Sequence, residues 1–197
     1  MKVIIVATVY PTRAQALALL EQYIQNEFLL KHALAVEAVM RHFAGLFGED
    51  VEKWGVIGLV HDLDYEKYPE EHCTKVREIL KERNWPEEYI RAIVSHGWQI
   101  CSEVEPRERM EKVLYTIDEL TGLITAAVLV RPDKNLLNLE VKSVKKKWKE
   151  KSFAAGVNRE VINQGAAMLG MELQTVMAET IRGMQNVVGE LGLDGKE

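Results

Sequence analysis

Six side chains in this sequence have the chemistry and the placement to hold a metal ion: His32, the adjacent pair His61 and Asp62, His72, His96 and Asp118. They fall on or beside the apolar stripe, or at the end, of five helical segments, so each is expected to point inward. Burying ionisable groups without partners costs several kcal/mol apiece, and a shared divalent cation offsets that cost for all of them together. His32, His61, Asp62 and Asp118 form a mixed nitrogen and oxygen set. It suits Mn, Fe, Co, Ni, Zn or Mg and needs no cysteine. An ion so held makes a bound water acidic and stabilises charge on a substrate oxygen, so such a site is suited to chemistry by activated water.

Single residues are weaker signals. One histidine on an apolar face is commonly a core residue bonded to a carbonyl. Adjacent residues such as His61 and Asp62 can serve one ion only where the backbone turns both side chains to the same side, as at the end of a buried helix. Asp64 and Glu66 follow the doublet closely enough to orient a water or protonate a leaving group. Glu66 also reads as part of a solvated turn before Pro69.

The elements that must position these groups are almost all helical after Tyr10. Pro11 and Thr12 open a segment with Ala16, Leu19, Leu20 and Tyr23 on one face. Asn26 caps a helix running to about Phe47, striped by Leu29, His32, Val36, Val39, Met40 and Phe43 and ended by Gly48. Val51 to Leu63 is apolar on most sides and reads as a central helix. A helix from Pro69 carries His72, Val76, Ile79 and Leu80; Asn84, Trp85 and Pro86 break it. The next aligns Tyr89, Ile93, His96 and Ile100. Pro106 begins a long helix with Met110, Leu114, Ile117, Thr121, Ile124 and Val128 inward and Asp118 beside them, and Arg131-Pro132-Asp133 stops it. A basic helix over about Leu139 to Lys151 follows, then one from near Asn158 to Gly170 and a last one ending near Gly189. The fold class expected is all-α. Residues 11–190 form one domain, 1–10 an arm or short strand, and 191–197 a frayed tail.

The spacing H…HD…D and the phrases LLKHALAVEAVMR, GLVHDLDYEKYPEEH, RAIVSHGW and DELTGLITA resemble the HD superfamily of metal-dependent phosphohydrolases, in particular its small bacterial members. The likeness runs from Pro11 to about Met184. It implies an HD-type helical bundle with extra C-terminal helices, and His32, His61, Asp62 and Asp118 as ligands of a first metal. By analogy with two-metal branches, His72 and His96 are ligands of a second, although His72 follows the doublet so closely that it reads alternatively as a substrate contact. The resemblance also makes Lys67 a phosphate contact. His42 fits no ligand role.

Composition sets the outer limits. The chain has 197 residues, 47% apolar and 28% charged, with net charge -5. That is a globular composition with no overall basic field for nucleic acid or membrane. Cys73 and Cys101 lie in separate segments without a CxxC pairing and read as reduced thiols of a cytoplasmic protein, not a structural disulfide or zinc knuckle. The run Val3 to Tyr10 has one basic residue before it and no A-x-A pattern before Pro11, which disfavours a signal peptide. Nothing approaches the ~20 apolar residues of a transmembrane helix.

The lysines at 142, 145, 146, 147, 149 and 151, with Arg159, make one basic strip. It reads first as a solvated face over Val141, Val144 and Trp148. The second reading has Lys145 and its neighbours attract an anionic substrate; RNA fits poorly on an acidic protein. Trp98, Tyr65 and Tyr68 flank ligand positions and either wall a pocket or simply pack. Met168, Met171, Met177 and Met184 read as core fillers or as the face of a homodimer.

The expected function is hydrolysis of a small phosphorylated compound, a nucleotide among the candidates, with one or two divalent ions. Two other classes stand beside it. One is a di-iron oxygenase of the HD fold, using His72 and His96. The other is a module that keeps the metal and binds a nucleotide without turning it over. No base- or sugar-reading motif is visible.

Overall fold

The computed structural model describes residues 10–196, so the arm expected over residues 1–10 lies almost wholly outside the described residues. Helix α1 (Arg13–Tyr23) begins where Thr12 caps it: the Thr12 hydroxyl accepts from Gln15 N, and the Gln15 side chain accepts from Thr12 N. This reciprocal pair satisfies two N–H groups that the first turn leaves free. Helix α2 (Glu27–Phe47) is capped by Asn26, whose Oδ1 accepts from Phe28 N and Leu29 N, and it ends at Gly48 in the left-handed region. Both starts and the stop lie where the sequence placed them.

Helix α3 (Val51–Leu59) packs along α2, and α2 in turn lies against α6 (Arg109–Leu129) and α9 (Leu173–Gln185). The core is where these four meet: Val36, Val39, Met40 and Phe43 of α2, Ile57 and Leu59 of α3, Leu114, Ile117 and Ile124 of α6, and Val176, Met177 and Met184 of α9 are all buried. Each such side chain contributes about 1.5–3 kcal/mol through removal from water. The approach of α3 to α2 depends on Gly58. A Cβ there would stand 2.8 Å from Met40 Cγ and 3.2 Å from the Glu37 backbone.

Three elements ahead of α6 differ from expectation. Helix α3 stops at Leu59, not Leu63; beyond it Leu63 N donates to Val60 O and Tyr65 N to Asp62 O, in a series of tight turns. Pro69 opens only one 3-10 turn, Pro69–Glu71, and α4 (Thr74–Glu82) starts after Cys73, whose φ of 67° breaks the helical path. His72 therefore lies between helices. Helix α5 (Glu87–Ser95) ends just before His96, and Ile100 sits exposed in the turn that follows.

Helix α6 starts later than Pro106, at Arg109, because Glu111 folds back to accept from Glu108 N and Arg107 N. Its predicted stripe is buried throughout. Helix α7 (Val141–Lys149) buries Val144 and packs Val141 and Trp148 against the core, as the solvated-face reading requires. Helix α8 (Arg159–Leu169) lies on α6. The chain then continues past Gly189 through a short α10 (Val188–Leu191), so the tail is anchored further along than expected. Leu191 and Leu193 are buried, and Leu193 O accepts from Leu136 N at 2.8 Å. The fold is all-α, with ten helices and no strand among the described residues. No described helix is long and apolar enough to cross a membrane.

Candidate metal centre

The turns after α3 do what an adjacent His-Asp pair needs. His61 is fully buried, and its Nδ1 donates to Gly58 O at 2.8 Å, which fixes the ring and leaves a lone pair on Nε2. Asp62 turns to the same side. Helix α2 supplies His32 and helix α6 supplies Asp118. His32 Nε2 lies 3.2 Å from His61 Nε2 and 2.9 Å from Asp118 Oδ1, and His61 Nε2 lies 3.3 Å from the same oxygen.

Asp62 joins this group to a second one. Its Oδ1 is 3.4 Å from His61 Nε2, 3.4 Å from His72 Nε2 and 3.3 Å from His96 Nε2, while its Oδ2 is 3.6 Å from His32 Nε2. His72 Nε2 and His96 Nε2 are 3.1 Å apart. Their other nitrogens are occupied: His96 Nδ1 donates to Ile93 O, and His72 Nδ1 donates to Asp64 Oδ1 at 2.7 Å. Asp64 is itself fully buried, and its Oδ2 accepts from Val76 N in the first turn of α4 at 2.7 Å.

These contacts test whether the residues suit an ion. With Nδ1 carrying the proton on His61, His72 and His96, the Nε2 atoms present lone pairs to one another and to carboxylate oxygens. Lone pairs gathered this way repel unless a cation stands among them. The separations of 2.9–3.6 Å match the edges of an octahedron or tetrahedron with bonds of about 2.1 Å, which are about 3.0 and 3.4 Å. The donor set fits a divalent metal, and partners such as Gly58 O, Ile93 O and Asp64 orient the imidazoles as ligands require.

The titration of the cluster says the same. Burial opposes charge on His61, but Asp62 and Asp118 outweigh it and raise the imidazole well above its ordinary value. Burial likewise favours neutral Asp62 and Asp118, yet the neighbouring imidazoles hold both carboxyls below the usual carboxylate range. His72 is raised despite its burial, chiefly through its bond to Asp64. Without an ion, protons fill the cationic role.

The cluster opens into a pocket of about 300 Å³ lined by His32, Asp62, Tyr65, His72, His96, Ile100, Cys101, Asp118, Glu119 and Val157, among others. Tyr65 stands edge-on to His72 at 5.2 Å. The remaining expected site residues lie elsewhere. Glu66 accepts from Gln25 N and Asn26 N, and Lys67 Nζ donates to Gln22 O at 2.6 Å while sitting over the Tyr23 ring. Both side chains thus tie the loop of the doublet to the connection between α1 and α2, and neither lines the pocket. Trp98 packs on Tyr115, and Lys145 remains on the outer strip of α7; they too are absent from the lining. Asp64 acts through His72 and the start of α4. His42 bonds Glu179 at 2.8 Å, away from the centre.

Glu119, Cys101 and the wall at Gly156, Val157 and Val161 are not marked as site residues by the sequence. Glu119 had one available signal, its place directly after Asp118. Its carboxyl accepts from Asn158 N at 2.9 Å, and burial raises its pKa despite that bond. The wall from the 150–157 loop and α8 had none, since it follows from how α8 docks on α6.

The family model of the HD domain matches residues 29–146, more than half of the chain and a span that includes all six converging residues. The chain belongs to the HD domain family, whose members are generally metal-dependent hydrolases. No curated protein and no solved structure matches it.

Proposed function

We propose that this protein is a metal-dependent phosphohydrolase that cleaves a small phosphoester, a nucleotide among the candidates, with two divalent ions sharing Asp62. The observation that carries the reading is the convergence of four imidazoles and two carboxylates on one pocket, with Asp62 Oδ1 within 3.4 Å of three of the imidazoles. Bound there, the ions supply an acidic water and neutralise the charge on the phosphoryl oxygens. His32, His61, Asp62 and Asp118 would hold one, and Asp62, His72 and His96 the other.

The rest of the pocket agrees with this division of labour. Among the described residues no lysine or arginine lines it, so a phosphate there would rely on the ions for charge neutralisation. Asp64 holds His72 in its ligand orientation. Glu119, among the described residues the one carboxyl of the lining outside the ligand set, would deliver a proton to a leaving oxygen. Tyr65 and Val157 add an aromatic and an aliphatic wall to the lining. The volume lies at the small end of ligand pockets, about 300–1,000 Å³, which favours a compact substrate.

The test is direct. Purified protein should carry a transition metal and hydrolyse a nitrophenyl phosphoester or members of a nucleotide panel once Mn, Co or Zn is added. Asp62→Ala should lose both metal and activity; retention of both would sink the proposal. The shared carboxylate also suits a di-iron oxygenase. Two irons per chain with turnover that consumes oxygen would favour that reading, and activity with Mn or Co under nitrogen would exclude it.

A further inference from the structure

Beside the centre, two sulfurs from distant segments meet. Cys73 Sγ lies 3.0 Å from Cys101 Sγ. Cys73 is buried, whereas Cys101 is exposed and lines the pocket. The chain is shaped to bring them together. Cys73 takes a φ of 67°, a conformation unusual for a residue with a side chain, at the break between His72 and α4. In the turn carrying Cys101, the N–H groups of Ile100, Cys101 and Ser102 all donate to Gly97 O, and Gln99 N donates to Ser102 O. Between the sulfurs stands Gly97. A Cβ on it would lie 2.4 Å from Cys101 Sγ and 2.5 Å from Cys73 Sγ, so only glycine leaves the space in which the two thiols touch.

A weak thiol contact returns little for a strained backbone and a glycine in a tight place. We propose that Cys73 and Cys101 form a modification site: a thiol pair that a peroxide converts to a reversible disulfide, tying the 97–102 turn to the start of α4 beside His72 and His96. The exposed sulfur reacts first. Cys101 gives up its proton and attacks a peroxide oxygen; the O–O bond breaks, one water leaves, and Cys101 becomes a sulfenic acid. Cys73 then attacks the Cys101 sulfur, forming the S–S bond and expelling the hydroxyl, which leaves with the Cys73 proton as a second water. Two electrons pass from the sulfurs to the peroxide, and hydrogen peroxide with two thiols yields one disulfide and two waters.

This inference does not depend on the phosphohydrolase reading. Full-length, fully reduced protein is treated with about one equivalent of hydrogen peroxide, alkylated with N-ethylmaleimide under denaturing conditions, and read by intact mass and peptide mapping. The expected product has no alkylated cysteine, a mass lower by about 2 Da than the reduced chain, and a cross-linked pair of peptides bearing Cys73 and Cys101. Dithiothreitol restores both thiols. Cys73→Ser should stop at an oxidised Cys101 that a sulfenic-acid reagent traps, and Cys101→Ser should leave Cys73 unreacted. Oxidation of Cys101 with Cys73 still open to alkylation, a disulfide between two chains, or survival of both thiols at excess peroxide would overturn it.

Discussion

Among the described residues, Asp62 is the one side chain that faces both halves of the centre. Its Oδ1 sits near His61, His72 and His96 and its Oδ2 near His32, so its charge counts for any ion bound on either side. Asp62→Asn keeps the shape and removes the charge. We expect metal affinity to fall by about 100-fold or more and hydrolysis to drop to background, with the fold intact by circular dichroism. The histidines divide differently. His72→Ala and His96→Ala should each lower occupancy of an ion held by Asp62, His72 and His96 while an ion held by His32, His61, Asp62 and Asp118 stays. His96 should matter more, because its ring is the more deeply buried and is fixed by Ile93 O. Metal analysis of each variant after gel filtration checks this. Unchanged metal with a raised KM would make them substrate contacts, and unchanged metal and KM with a lowered Tm would make them ordinary core residues.

At the scale of elements, the segment from His61 to Val76 is held by Asp64. Helix α4 begins at Cys73 with no side-chain cap, and Asp64 Oδ2 serves instead by accepting from Val76 N, while Oδ1 holds His72. Asp64→Ala removes both bonds from a fully buried place. It should cost about 2–4 kcal/mol, visible as a lowered Tm, and reduce occupancy at His72 and His96. Asp64→Asn retains an acceptor for Val76 N, so it should recover much of the stability while the His72 ion stays depleted. If the two variants lose stability and metal in the same proportion, Asp64 does not position His72. The sequence made legible whatever is local. Thr12, Asn26 and Gly48 mark helix ends because caps act on their own turn, and His32 and Asp118 stand out by their relation to apolar stripes. It left obscure what a distant partner decides. The anchoring of the first turn of α4 reflects the reach of Asp64 to Val76 N. Glu66 and Lys67 look like catalytic groups by proximity to the doublet, yet they are claimed by Gln22, Gln25 and Asn26 at the far end of α1. The contact of Cys73 with Cys101 leaves no spacing signature at all.

For the whole molecule, the cluster couples folding to both protons and metal. His61 is raised above its ordinary value of 6.5, so its protonation favours the folded state. That contribution is fully present below 6.5 and is lost as pH rises through the raised value; His72 acts in the same sense. Asp62 and Asp118 are held below their ordinary 3.8, so their contribution is present above 3.8 and is lost as pH falls through the depressed values. Metal-free protein should therefore be most stable between these limits and weaken on the alkaline side, where neutral imidazoles face two carboxylates with nothing cationic between them. A bound divalent ion would take the place of the protons and would stay as pH rises. We expect chelator-treated protein to lose Tm from about pH 7 to pH 9. Protein with a fixed concentration of Mn or Zn, about 100 times the Kd at pH 7, should melt higher by about 5–10 °C at that pH, with the gap widening as pH increases. Thermal melts of both forms across that range decide it. Parallel curves would mean that metal and protons do not compete for these residues. A gap that closes at high pH would place the ion elsewhere, since only a cation held by His61 and its neighbours replaces the charge that alkali removes.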